Sequence, residues 1–167
     1  VKAFAMPSPD ETRHPKPVIV ISKCIEHAPC RYNGAIISDP FARLMKPFAE
    51  FMPVCPEEEC GLGVPRDPVR IVLEEGALML FQPASGLDHT TAMRDFTGAY
   101  LGALPEIDGF LLKSASPSCG IKSVKVYMGR ESSSRTGRGN GMFADAVLRA
   151  YPDLPVEDEG RLRNFTI

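Results

Sequence analysis

The stretch PVIVISKC, residues 17–24, decides the fold. Its four consecutive β-branched residues, 18–21, show no polar alternation, so they read as a strand buried on both faces, the pattern of a parallel strand inside an α/β sheet. Parallel strands need crossovers, and the chain downstream supplies them. Asp39-Pro40 opens a helix in which Phe41, Leu44, Met45 and Phe48 recur at helical spacing, with its end expected near Phe51. FMPVCP (51–56) reads as a second strand, and VRIVLEEGALMLFQP (69–83) as a hairpin turning at Glu75 and Gly76. Asp88 caps a helix expected to run to about Leu104, residues 109–113 and VKVYM (124–128) read as strands, and residues 142–151 form the last helix. This alternation predicts an α/β fold: a single Rossmann-like, three-layer domain with a mostly parallel sheet. GRESSSRTGRGNG (129–141) has no apolar side chain to bury and is expected to be a mobile loop.

Composition sets the limits. A chain of 167 residues, 44% hydrophobic and 24% charged, builds one core and leaves no room for a second full domain. A net charge of −2 gives no bulk attraction to nucleic acid or to an anionic membrane, so any such contact must come from a local patch. Its apolar runs, such as 18–21 and 77–81, fall far short of the ~20 residues of a membrane-spanning helix. Residues 1–15 are polar and proline-rich without the order of a secretory signal, and are expected to form a flexible leader to a domain over 16–167. Five cysteines, an odd number without an export signal, point to a reducing, cytoplasmic location, where thiols serve metals or catalysis more often than disulfides.

Three of those thiols stand where an apolar run gives way to a loop: Cys24, Cys55 in PVCPEEECGLGVPR (53–66), and Cys119 in FLLKSASPSCG (110–120). Loops at the carboxyl ends of strands are where open α/β sheets collect ligands, so three distant thiols can converge there on one metal and leave a coordination position open. A single buried cysteine is more often a small hydrophobe than a ligand. The spacings Cys24/Cys30 and Cys55/Cys60 match neither the ferredoxin run nor a zinc ribbon, so spacing alone reaches a metal site and no further. Ser116, Pro117, Ser118 and Gly120 around Cys119 are small enough to let backbone amides approach a metal-bound sulfur. Cys30 either lies near that site or joins it, and Cys60 reads as a buried or reactive thiol. Asn33 and Gly34 supply a turn with Tyr32 expected to pack beneath it, while Arg31 and Arg66 meet either a phosphate or the acids at Asp39 and 57–59.

The blocks SKCIEHAPCRYNG (22–34), PVCPEEECGLGVPRDPVRIV (53–72) and LKSASPSCGI (112–121) resemble, in order, the signature blocks of the TudS/RudS desulfidase family, which acts on thiouracil and on 4-thiouridine in tRNA. The resemblance extends from about Lys16 to the end of the chain. It implies a [4Fe-4S] cluster held by Cys24, Cys55 and Cys119, with one iron lacking a protein ligand, and sulfur removed from a thiolated pyrimidine as sulfide without net electron transfer. It further implies Glu57 of the CPE string as general acid/base, ahead of Glu58 and Glu59, with Ser116, or less favourably Ser118, orienting the attacking group. The segment LPVEDEGRLRNFTI (154–167) resembles the junction at which longer members continue into a helical domain. The substrate is expected to be a thiolated base, nucleoside or tRNA, with RNA contact through Lys122, Lys125, Arg130, Arg135 and Arg138, a basic run broken by the single acid Glu131. The alternatives are a structural zinc domain, closed by Cys30 or Cys60 beside the other three thiols, and a non-enzymatic RNA-binding module.

Overall fold

Val20 and Ile21 are both fully shielded from solvent, which neighbours in a strand achieve only when both faces of the sheet are covered. They lie on β1 (Val18–Ser22) of the computed structural model, which describes residues 15–131 and 133–163. The first 14 residues of the expected leader and residues 164–167 fall outside that description. β1 pairs in parallel with β2 (Glu50–Val54) on one side and with β6 (Gly109–Leu112) on the other, and β6 pairs in parallel with β9 (Val156–Asp158). The order is β2-β1-β6-β9. β2 is an edge strand, which is why it tolerates Pro53, a residue with no N–H for a ladder.

Val20 faces the larger core, with Met93 of α2 (Thr90–Ala103) and Phe143, Ala144 and Val147 of α3 (Met142–Ala150). Ile21 faces a smaller cluster with Ala42 of α1 (Pro40–Met45) and Leu162 of α4 (Glu159–Leu162). Helices on both faces of a parallel sheet make the expected three layers. Asp39 caps α1 as its sequence predicts, accepting from the Ala42 amide at 2.8 Å. The helix nevertheless stops at Met45 so that the chain can reach β2 at Glu50, and Leu44 and Phe48 remain exposed.

The hairpin does form, between β3 (Arg70–Glu74) and β4 (Ala77–Gln82), with Glu75 and Gly76 at φ 50° and 81°, the positive values a two-residue hairpin turn requires. It joins a second sheet, β5-β4-β3-β7-β8, with β5 at Leu87–Asp88, β7 at Val124–Met128 and β8 at Arg135–Gly139. Ile71, Leu80, Val124 and Val126 carry this sheet into the same core as Val20. β8 corrects the expectation of a mobile loop over 129–141: Arg135–Gly139 runs antiparallel to β7. The ladder uses backbone groups alone, so a solvated edge strand forms without apolar side chains.

From β1 the chain passes to β2 on one side, then returns after β3, β4 and β5 of the second sheet to β6 on the other. The carboxyl edge between these strands is therefore a topological switch point, where open α/β sheets bind ligands. No helix among the described residues is long and apolar enough to cross a membrane.

Candidate functional site

A cavity of about 520 Å³ opens at this switch point. Cys24, Cys30, Cys55 and Cys119 all line it, and all are buried. Cys24 follows the central strand β1, Cys55 follows β2 directly, and Cys119 sits in the loop after β6, so the three expected thiols come from three adjacent strands. Cys30 joins them on the cavity wall, where its carbonyl oxygen accepts from the Cys55 thiol at 3.7 Å. The Cys30 and Cys55 sulfurs and a Glu58 carboxylate oxygen lie within 4.8 Å of one another, a group with the chemistry to hold a metal ion. Cys60 points elsewhere, half-buried, with its sulfur 3.6 Å from the Glu57 carbonyl oxygen.

Without a metal the Cys30, Cys55 and Cys119 thiols stay protonated. The Cys24 thiol, helped by burial, pushes Cys30 up to about 11. The Cys30 thiol and burial hold Cys55 well above the usual thiol range, and burial raises Cys119 to about 12.

Glu57 is the buried acid of the cavity, at 8% exposure. One carboxylate oxygen, Oε2, accepts from Arg66 Nε at 2.9 Å and Nη2 at 2.6 Å; the other, Oε1, accepts from Ser118 Oγ at 2.7 Å. Ser116 Oγ stands 3.4 Å from Oε1, beyond a normal O–H···O bond, and instead accepts from the Cys119 amide at 3.2 Å. The structure thus ties Ser118 to Glu57 more closely than Ser116. Glu58 pairs with Lys23 at 2.8 Å, and Glu59 lies on the same wide helical turn, Glu58–Leu62. Arg66 takes the ion-pair reading rather than the phosphate one: its side chain is 4% exposed, and Nη1 also donates to the carbonyls of Gly63 and Cys30. Arg31 lies over the Tyr32 ring at 5.6 Å, and Tyr32 is 42% exposed at the cavity wall instead of packed beneath its turn.

The loop carrying Ser116, Ser118 and Cys119 is clamped by the start of α3. The amides of Gly141, Met142 and Ala144 donate to the carbonyls of Gly120, Pro117 and Ser118 at 2.8–3.0 Å, which satisfies helix-terminal donors and fixes the loop together. A Cβ on Gly141 would stand 2.5 Å from the Ser118 carbonyl, so only glycine permits this approach. Sequence reasoning missed Gly141 and a second support, Lys113 and Glu159. Lys113 Nζ and the Ser114 Oγ and amide converge on the buried Glu159 carboxylate at 2.5–2.7 Å, and Lys113 and Ser114 line the cavity. Burial opposes charge on Glu159, but these bonds outweigh it and hold the carboxyl below the usual glutamate range. Lys113 stands beside SASPSC in sequence and was legible there; Glu159, 45 residues on from Ser114, gave no signal.

Of the five basic residues expected to meet RNA, Lys125 and Arg138 line the cavity, paired across β7 and β8. Arg130 is engaged with Glu74 at 2.8 Å, and Lys122 and Arg135 are exposed outside the cavity wall.

The pattern of the 2-thiouracil desulfurase family matches residues 19–159. An uncharacterised protein of Bacillus subtilis (strain 168), YbbK, is 32% identical over 149 residues, covering 85% of this chain and 97% of that protein. The solved structure of the [4Fe-4S]-dependent thiouracil desulfidase TudS superposes with a TM-score of 0.68 at 30% identity, covering 89% of this chain and 94% of that one. The match spans the strand-end thiols, Glu57 and the Ser116–Cys119 loop alike, and the chain belongs to the 2-thiouracil desulfurase family.

Proposed function

We propose that this chain is a [4Fe-4S]-dependent hydrolytic desulfidase of thiolated pyrimidines, working in a reducing, cytoplasmic compartment, with the cluster held by Cys24, Cys55 and Cys119. The donor set fits such a group: three buried thiols from adjacent strand ends line one cavity. Bound there, the cluster supplies a soft Lewis acid with a position free for a thiocarbonyl sulfur.

The protein's own residues supply the proton chemistry. Replacing C=S by C=O requires water oxygen to bond to the ring carbon while the carbon–sulfur bond breaks, releasing hydrogen sulfide with no net oxidation or reduction. Glu57 takes a proton from the attacking water and returns one to the departing sulfur. Ser118, 2.7 Å from Glu57 Oε1, orients that oxygen, and Arg66 fixes the other. Ser116 holds the Cys119 amide and lies next to Ser118 at 3.0 Å, so it positions the loop beneath the reacting group. The observation that carries this reading is the buried Glu57 carboxylate in the same cavity as the strand-end thiols.

Sulfide release from 2- and 4-thiouracil by anaerobically reconstituted protein tests it. The reading expects turnover in the loaded protein and none after the cluster is removed; sulfide release by the iron-free chain would overturn it.

A second observation bears on the substrate. Lys125 and Arg138 line the cavity, face each other across β7 and β8, and form no ion pair among the described residues. Arg70 lies over the Tyr127 ring at 4.9 Å on the same wall. Cations beside a flat aromatic surface favour a phosphate-bearing thiopyrimidine, a nucleotide or the 4-thiouridine of tRNA, over the free base.

A further inference from the structure

Cys30 has no part in the reading above, yet it is 3% exposed and lies among the other thiols. Ligands of a single ion converge on one point: zinc bonds thiolate sulfur at about 2.3 Å and carboxylate oxygen at about 2.0–2.2 Å in a tetrahedron, which puts neighbouring donors under about 4.5 Å apart. Ligands of a cubane attach to separate irons and stand further apart. Cys30 Sγ, Cys55 Sγ and a Glu58 oxygen lie within 4.8 Å of one another and so answer to one ion after a small inward shift, with a solvent molecule as the fourth donor. Cys24 and Cys119 are outside this group. The cavity therefore holds two donor sets that share Cys55.

We propose that Cys30, Cys55 and Glu58, completed by a solvent molecule, form a tetrahedral site for a zinc-like divalent cation whose occupancy excludes the cluster by taking Cys55. The exclusion rests on the desulfidase reading; the cation site does not. Two thiolates and a carboxylate leave a zinc centre with one surplus negative charge. Lys23, 2.8 Å from Glu58 Oε2, offsets it. Binding releases the thiol protons to solvent and involves no redox step. The resident fourth thiol thus makes the protein sensitive to zinc before its cluster is loaded: a zinc-filled chain is colourless and idle.

The test uses the full chain, stripped of metal without oxygen and titrated with zinc against a chromogenic chelator. One zinc per chain is expected. Cys30→Ser should weaken binding by more than the roughly 10- to 100-fold that loss of an outer partner costs, and Glu58→Gln, at a partly exposed side chain, should weaken it within that range. Cys119→Ser should bind zinc as the parent does. Parent-like zinc affinity in both Cys30→Ser and Glu58→Gln, or a loss in Cys119→Ser equal to that in Cys30→Ser, overturns the site. In the second arm, zinc-loaded chain is offered iron and sulfide: uptake should be blocked in the parent and restored in Cys30→Ser. Equal uptake with and without zinc removes the exclusion and leaves the desulfidase reading standing. Failure of iron uptake even without zinc removes that reading and the exclusion with it, while the titration alone judges the cation site.

Discussion

The carboxyl edge of β1, β2 and β6 and the β7–β8 ribbon line the same cavity and are built in opposite ways. At the first, the buried carboxylates are answered: Glu57 by Arg66 and Ser118, Glu159 by Lys113 and Ser114. At the second, Lys125 and Arg138 stand exposed and directly opposite each other on neighbouring strands, an arrangement of like charges that costs stability unless a ligand supplies the anion. The difference separates two tasks. On the proposed reading, the preorganised floor fixes the chemistry and the solvated wall selects what reaches it.

The largest effect belongs to the floor. Cys55→Ser and Cys119→Ser should each abolish iron binding and sulfide release, measured by metal analysis and a sulfide assay; a variant that keeps both is not a ligand variant. Next is Glu57→Gln, which should keep its iron while turnover falls about 10²- to 10⁴-fold, the usual yield of a positioned acid/base. Unchanged turnover in that variant would remove Glu57 from the mechanism. Arg66→Met leaves a carboxylate buried without its partner and should cost about 3–5 kcal/mol of stability, read from urea unfolding. A loss under about 1 kcal/mol would mean that the pair behaves as a surface ion pair.

The wall should respond more gently and differently. The double variant Lys125→Ala, Arg138→Ala should raise KM for a thiolated nucleotide or tRNA more than for free thiouracil. It should also flatten the salt dependence of tRNA binding by up to about two log units per log of salt, close to one per lost phosphate contact. Equal effects on base and nucleotide would erase the distinction between wall and floor. Smallest is a pH effect at the support under β6. Glu159 is depressed in the folded chain, so its contribution is present above the unfolded glutamate value and is lost as pH falls through the lower folded one. Glu159→Gln should therefore lower stability at neutral pH and flatten its decline in acid; an unaltered acid unfolding curve would deny the Lys113–Glu159 pair that role.

Much of the floor was legible because its parts are local. PVIVIS could only be a strand covered on both faces, and a thiol directly after an apolar run lands at a strand end. Glu57 was legible from its two-residue offset from Cys55 in a recognisable string. What the sequence withheld is long-range or depends on backbone. The choice between Ser116 and Ser118 rests on a turn geometry that brings Ser118 to 2.7 Å from Glu57. Gly141 reads as loop glycine until the Ser118 carbonyl is seen beneath it. Cys30 gives no spacing signal, because a turn over 25–29 folds it back towards Cys24. The β8 strand was hidden because an edge ladder needs no apolar side chain, and the second sheet because hydrophobic pattern says which segments are strands but not which strands they pair with.

The central claim is tested most directly by the iron and acid-labile sulfide content of the full chain, purified and reconstituted from a zinc-free mixture without oxygen. The account predicts about four of each per chain with a brown chromophore. A chain that takes up no iron under those conditions would contradict it.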